Sequence, residues 1–164
     1  MLPDDRLAQA GSLTVGVISD THGQLHPAVA GLFRNCDVII HAGDICGHGV
    51  LEGLRAIAPL CAVAGNCDSP FINPGLQKFE LVTLARRLIA VIHDVHALDI
   101  DPVAIGVSAI IHGHSHQAGI LRKGSVLYLN PGSAGPRRFR FRRSVAILKI
   151  SPSEMTAELI EFDE

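Results

Sequence analysis

The chain has 164 residues, 48% hydrophobic and 18% charged, enough apolar material for one compact domain and too much for a disordered segment. Its formal charge of −2 lacks the basic excess of a general nucleic-acid binder, so nucleic acid is not an expected partner. No run approaches about 18 uncharged apolar residues, so no membrane partner is expected.

Asp4, Asp5 and Arg6 stand where a secretory signal would place a basic start and an apolar segment, which predicts a cytoplasmic protein. With no linker, repeat or compositional break, residues 1–164 read as a single domain, and residues 1–11 as a frayed leader. The four cysteines, Cys36, Cys46, Cys61 and Cys67, form no C-x-x-C pair. Cys36 and Cys61, beside apolar residues, read as small packed side chains. The histidines carry more information. Five of the nine (His22, His41, His93, His114, His116) stand at or beside the ends of apolar runs.

Leu13–Ile18 reads as a buried strand, rich in β-branched residues and ended by Asp20-Thr21-His22-Gly23. Pro27 opens a helix with Ala28, Val29, Leu32 and Phe33 at helical spacing. Residues 37–41 form a second strand. A second helix carries Val50, Leu51, Leu54, Ile57 and Ala58, with Pro59 closing it, and residues 60–64 form a third strand. This alternation predicts right-handed crossovers and a parallel sheet.

The second half predicts a hairpin of residues 79–83 and 88–92, then a weak helix over 101–105. Further strands follow at Val107–Ile111 and at residues 118–121, 125–129, 144–150 and 156–162. So many apolar strands imply an α/β protein in which two sheets pack face to face with helices outside.

Polar clusters close five of these strands: Asp20-x-His22, Gly43-Asp44, Gly65-Asn66, His93 and Gly113-His114-Ser115-His116. Ligands bind beyond the carboxyl ends of strands in sheets with a parallel core. Gathering carboxylates and imidazoles there is costly unless a partner satisfies them. In extended chain, residues i and i+2 face the same way, so Asp20-x-His22 and His114-x-His116 can each present two ligands. Carboxylate with imidazole suits divalent transition metals, and seven candidates exceed what one tetrahedral ion needs. Alone, Asp20-x-His22 reads more readily as a strand-ending turn than as a ligand pair, and His114-x-His116 reads equally well as either; their order and number favour metal. His41 and His112 read as packed residues that hold the ligands.

This ordered set resembles the calcineurin-like metallophosphoesterases, and the match runs from about Leu13 to Ile150. Gly65-Asn66-Cys67-Asp68 and Asn130-Pro131-Gly132-Ser133 look most like the small bacterial and archaeal phosphodiesterases of that superfamily. The resemblance implies a four-layer α/β/β/α sandwich of two mixed β-sheets flanked by helices. It implies two divalent ions per chain, manganese foremost, with nickel, iron, zinc or cobalt as alternatives. Asp20, His22, Asp44 and His116 would hold one ion, and Asp44, Asn66, His93 and His114 the other, with Asp44 as the bridge. Asp44, Asn66 and His93 would serve catalysis, and Asn66 and Cys67 would meet a small phosphate-ester substrate. A metal-bridging hydroxide would attack it.

The chain departs from the family where Cys67 replaces a histidine associated with the leaving group, which leaves His48 or a metal-activated water as the acid. Asp94 stands where glycine is usual. The Asn130–Ser133 segment reads as a structural turn, and the Arg137–Arg143 run as a solvated edge with Phe139 and Phe141 on one face, with contact to a substrate phosphate or acidic partner, and then nucleic acid, as the alternatives. A non-catalytic scaffold on the same fold, like the retromer subunit, is the rival reading; it predicts eroded ligands. A metallo-β-lactamase type would need a longer H-x-H-x-D-H signature. Self-association into a homo-oligomer stays open.

Overall fold

The computed structural model describes residues 5–137 and 140–163. Its first sheet grows from β1 (Leu13–Ile18), whose side chains alternate between two buried faces. β2 (Val38–His41) and β3 (Leu60–Ala62) follow it in parallel, Val15 opposite Val38 and Ile40 opposite Cys61. On the far side of β1, β9 (Arg143–Ile150) runs antiparallel to it and β10 (Met155–Phe162) antiparallel to β9, giving the order β10-β9-β1-β2-β3.

The second sheet has the order β4-β5-β6-β8-β7. Its hairpin β4 (Phe79–Leu84) and β5 (Arg87–Ile92) turns through Ala85 and Arg86, both at positive φ. β6 (Val107–Ile111) runs parallel to β5, β8 (Val126–Asn130) runs parallel to β6, and β7 (Gly119–Lys123) closes the edge antiparallel. Both sheets are therefore mixed, as expected.

Three apolar layers follow. Val15, Val17, Val38 and Ile40 meet Ile89, Val91, Ile111 and Leu129 between the sheets. On the outer face of the first sheet, Ile18, Ile39 and Val145 pack against helices α2 (Ala28–Leu32) and α3 (His48–Arg55) through Val29, Phe33, Leu51 and Leu54. Gly16 makes this packing feasible, because a Cβ there would stand 2.9 Å from the Phe33 ring. The outer face of the second sheet, with Ala90 and Ile110, is covered more thinly, by Val95, Leu98 and Ile100 around a single 3₁₀ turn at Val95–Ala97.

The helix expected over 101–105 is instead a set of turns, with Asp101 Oδ1 accepting from Val103 N–H and Ala104 N–H. Val103 and Ile105 are exposed, so no apolar stripe holds a helix there. Residues 5–9, read as part of a frayed leader, form a short helix, α1 (Asp5–Gln9). It docks on the β4–β5 hairpin, where Ala85 N–H and Arg86 N–H donate to the carbonyls of Leu7 and Ala8, and Leu7 packs on the inter-sheet core. Arg138 and Phe139 lie outside the described residues; Arg140–Arg142 are not strand, and Arg142 pairs with Glu161 at 3.6 Å. All four cysteines are free. No helix among the described residues is long and apolar enough to cross a membrane.

Candidate metal centre

The parallel pairing of β1 with β2 continues past the strand ends as a ladder between loops. Asp20 N–H donates to Gly43 O at 3.0 Å, His22 N–H to Asp44 O at 3.0 Å, and Gly23 N–H to Ile45 O at 2.7 Å. In the second sheet Gly113 N–H donates to His93 O at 3.0 Å, which seats the 113–116 loop beside the end of β5. The two loop systems face each other, and Asp20, His22, Asp44, His93 and His116 converge between them.

Asp20 Oδ1 is the focal atom. It lies 3.2 Å from His116 Nε2, 3.9 Å from His93 Nε2 and 4.0 Å from His22 Nε2. Asp44 Oδ2 stands 3.4 Å from His93 Nε2, and His22 Nε2 is 3.4 Å from His116 Nε2. Asp20 Oδ1 and His93 Nε2 are buried with no hydrogen-bond partner, and desolvated polar atoms of that kind call for a cation. Two sets of ligand atoms emerge, Asp20–His22–His116 and Asp20–Asp44–His93, each mutually within 4.8 Å. These donors fit divalent metal ions. The oxygen common to both sets belongs to Asp20, whereas Asp44 uses Oδ1 to accept the Cys67 N–H at 2.9 Å.

The other two expected ligands stand at the rim. His114 lies edge-on to His93 with ring centroids 5.2 Å apart, and its N–H donates to Asp20 Oδ2 at 3.2 Å. Asn66 is exposed and borders, with Lys78, Phe79, His93 and Asp94, a cleft of about 810 Å³. His114 belongs to neither of the two converging sets.

The backbone is bent to reach this arrangement. Asp20, His22, Asp44, His114 and His116 all have φ between 47° and 71°, in the left-handed region that non-glycine residues rarely enter. Such conformations persist where surrounding bonds over-determine them, and they cluster at functional sites. The determinants are visible here. Ser19 Oγ donates to Asp20 Oδ2 at 2.7 Å, Ser133 Oγ to Asp20 O at 3.0 Å, and Asn130 Nδ2 to Gly113 O at 3.0 Å. Close backbone approach adds to them, since a Cβ on Gly43 would come within 2.7 Å of His93 Nδ1.

Asp68 ties the remaining loops together. Its carboxylate accepts from Ile45, Cys46 and Gly65 N–H groups at 2.7 to 3.2 Å, joining the loop after β2 to the loop after β3. Sequence reasoning missed Asp68 as a support, because most of its bonds reach a loop after a different strand. It also missed Cys46, whose Sγ lies 3.8 Å from His22 Nδ1.

Electrostatics follow burial and pairing. Burial pushes the Asp44 carboxyl up, but the His93 ring 3.4 Å away and the Cys67 N–H outweigh it and hold the group below the ordinary carboxylate range. His93 is raised: burial opposes its charge, and Asp44 and Asp20 more than compensate. His93 Nδ1 lies 2.8 Å from Ala42 O, so it carries a proton and leaves Nε2 facing the centre. His41 is fully buried, and desolvation pulls it down to about 3. Its Nδ1 accepts from Gly43 N–H at 3.1 Å and its Nε2–H meets Thr21 Oγ1 at 2.9 Å, so it braces both ligand loops as a neutral ring. Burial also lowers His112. His48, considered as a leaving-group acid, starts α3 and pairs with Glu52 at 3.3 Å on an exposed surface. Asp94 turns its carboxylate to cap the 3₁₀ turn, accepting from His96 N–H at 3.0 Å.

Residues 13–153 match the model of the calcineurin-like phosphoesterase superfamily domain. A protein of Methanothermobacter thermautotrophicus named Probable metallophosphoesterase is 32% identical over 90% of this chain and 92% of its own. Vacuolar Protein Sorting 29 from Cryptosporidium parvum has the same fold, with a TM-score of 0.74 at 18% identity, covering 93% of this chain and 99% of its own. An archaeal phosphodiesterase has it too, with a TM-score of 0.69 at 21% identity, covering 90% of this chain and 100% of its own. The chain belongs to the calcineurin-like phosphoesterase superfamily.

Proposed function

We propose that this protein is a cytoplasmic, dinuclear metal-dependent phosphoesterase, acting by preference on phosphodiesters. The observation that carries this reading is the pair of orphaned buried atoms, Asp20 Oδ1 and His93 Nε2, at the meeting point of two ligand sets. Asp20, His22 and His116 would hold one ion; Asp44, His93, Asn66 and His114 would hold the second, with manganese foremost. The shared oxygen makes Asp20 a second candidate for the bridging role that the family resemblance gives to Asp44. When bound, two such ions acidify water and neutralise charge on a phosphoryl group.

The protein's own groups set the stage. Ala42 O fixes the His93 tautomer, the Cys67 N–H fixes Asp44, and Asn66 borders, with His93, the cleft where an ester phosphate would sit. Metal-stripped protein resupplied with manganese and assayed against phosphomonoesters and phosphodiesters tests the proposal. Asp44→Asn and His114→Ala should each abolish turnover and leave the circular dichroism spectrum intact. Elemental analysis should approach two ions per chain; a value held below one under excess manganese would sink the dinuclear model.

Cys67 bears on the substrate. Without an acid at this position, typically worth ~10²–10⁴-fold, the leaving oxygen departs largely unprotonated. Rates across substituted aryl phosphodiesters should then depend steeply on leaving-group pKa, and Cys67→His should flatten the slope. A shallow slope in the wild type would assign the acid elsewhere. The scaffold reading has one observation in its favour, the similarity to a vacuolar protein sorting subunit. Against it, all seven ligand positions carry metal-competent side chains.

A further inference from the structure

His22 is addressed on both nitrogens. Nε2 faces Asp20 and His116, and Nδ1 faces two thiols, Cys46 Sγ and Cys67 Sγ, each 3.8 Å away. The three atoms lie within 4.8 Å of one another. We propose that His22 Nδ1, Cys46 and Cys67 form a separate thiophilic metal site, for a zinc-class divalent ion, on the rim of the main centre. The proposal does not depend on the phosphoesterase reading.

Geometry supports it first. Zinc binds thiolate at ≈ 2.3 Å and imidazole at ≈ 2.0–2.1 Å, so a tetrahedral angle sets sulfur and nitrogen about 3.6 Å apart. Both observed separations are within a few tenths of an ångström of that value. The thiols are also prearranged. Asp68 accepts the Cys46 N–H at 2.8 Å and the Gly65 N–H at 2.7 Å, while Asp44 accepts the Cys67 N–H at 2.9 Å, so the two cysteine loops are clamped in register. Cys46 is held at φ 58°, a conformation that turns its side chain toward its neighbour's loop at a steric cost.

Chemistry separates this site from the main one. Thiolates select zinc, cadmium and similar ions, whereas carboxylate and imidazole accept manganese readily. Three protein ligands leave a fourth position, and Cys67 is exposed, so solvent can fill it. Binding releases the two thiol protons to water and, where Nε2 already holds an ion, the His22 Nδ1 proton as well, so that the ring bridges the two sites as an imidazolate. Because His22 serves both sites, occupancy of one changes affinity at the other, reciprocally.

Cobalt is the spectroscopic probe. Full-length protein saturated with manganese and titrated with cobalt should develop a thiolate-to-cobalt charge-transfer band that saturates near about one equivalent. Cys46→Ser and Cys67→Ser should each lose it, although both retain Cys36 and Cys61. A wild type without the band, or a band unchanged in either variant, overturns the site. Should a variant fold poorly by circular dichroism, the wild type decides alone. Zinc added over manganese should slow modification of Cys67 by an aromatic disulfide reagent at least tenfold, read by peptide mass spectrometry. Equal rates with and without zinc overturn the proposal.

Discussion

His41 carries no expected ligand role, yet it sets a pH limit on the metal-free protein. Its folded value of about 3 lies below its ordinary 6.5, because a buried ring between Gly43 N–H and Thr21 cannot accept charge. On acidification the unfolded chain takes up a proton that the folded chain refuses. Stability present above 6.5 is therefore lost as pH falls toward 3, at about 1.4 kcal/mol per pH unit from this group. His93, shifted the other way, contributes most below its ordinary value and loses that contribution as pH rises through its folded value. Urea unfolding of metal-free protein between pH 7 and 5 should show the His41 loss, and His41→Gln should flatten it. An unchanged pH slope in the variant would relocate the titration to another group.

Gly16 is the equivalent constraint at the level of a strand and a helix. A methyl group there meets the Phe33 ring at 2.9 Å, and the ring is itself fully buried under α2. Gly16→Ala should destabilise by about 1–3 kcal/mol through overpacking. Thermal unfolding should register this as roughly 2–4 °C per kcal/mol for a chain of this size. Adding Phe33→Leu should recover part of the loss; additive losses would mean that the two residues do not share a cavity. The elements themselves were legible wherever burial dictated pattern. β1, β2, β5 and β6 are continuous apolar runs because both faces are covered, and their ends were marked by the same polar residues that later became the site. Legibility failed where tertiary contact decides. α1 is five residues with no apolar stripe, held by hydrogen bonds to Ala85 and Arg86 that no local pattern announces. The turns at 101–106 carry Pro102 and three apolar residues, Val103, Ala104 and Ile105, that mimic a short helix but stay exposed. Asp68 and Cys46 were invisible as partners because their contacts cross between loops after different strands.

At the scale of the molecule, the centre is a joint between two sheets. Asp20, His22 and Asp44 follow strands of the first sheet, while His93, His114 and His116 follow strands of the second. An ion held by both sets binds only when the sheets are docked, so its binding energy adds to folding stability. Manganese at a hundred times its dissociation constant should raise stability by about 2.7 kcal/mol, and a chelator should reverse this. His116→Ala should reduce the increment by removing one sheet's share. A thermal midpoint indifferent to manganese and chelator would show that the ions do not couple the sheets.

The left-handed residues of the centre have an evolutionary consequence. Each of Asp20, His22, Asp44, Cys46, His114 and His116 holds a conformation about 1–2 kcal/mol above a relaxed one, a debt glycine would largely cancel. Under the proposed function, metal binding is what offsets this cost. A descendant released from metal chemistry would relieve that cost by glycine at the more exposed His114 or His116, and would regain activity only by restoring the tension site by site. Decay at this centre is therefore downhill and close to one-way, while the two sheets beneath it, packed on both faces, persist as a frame for other uses.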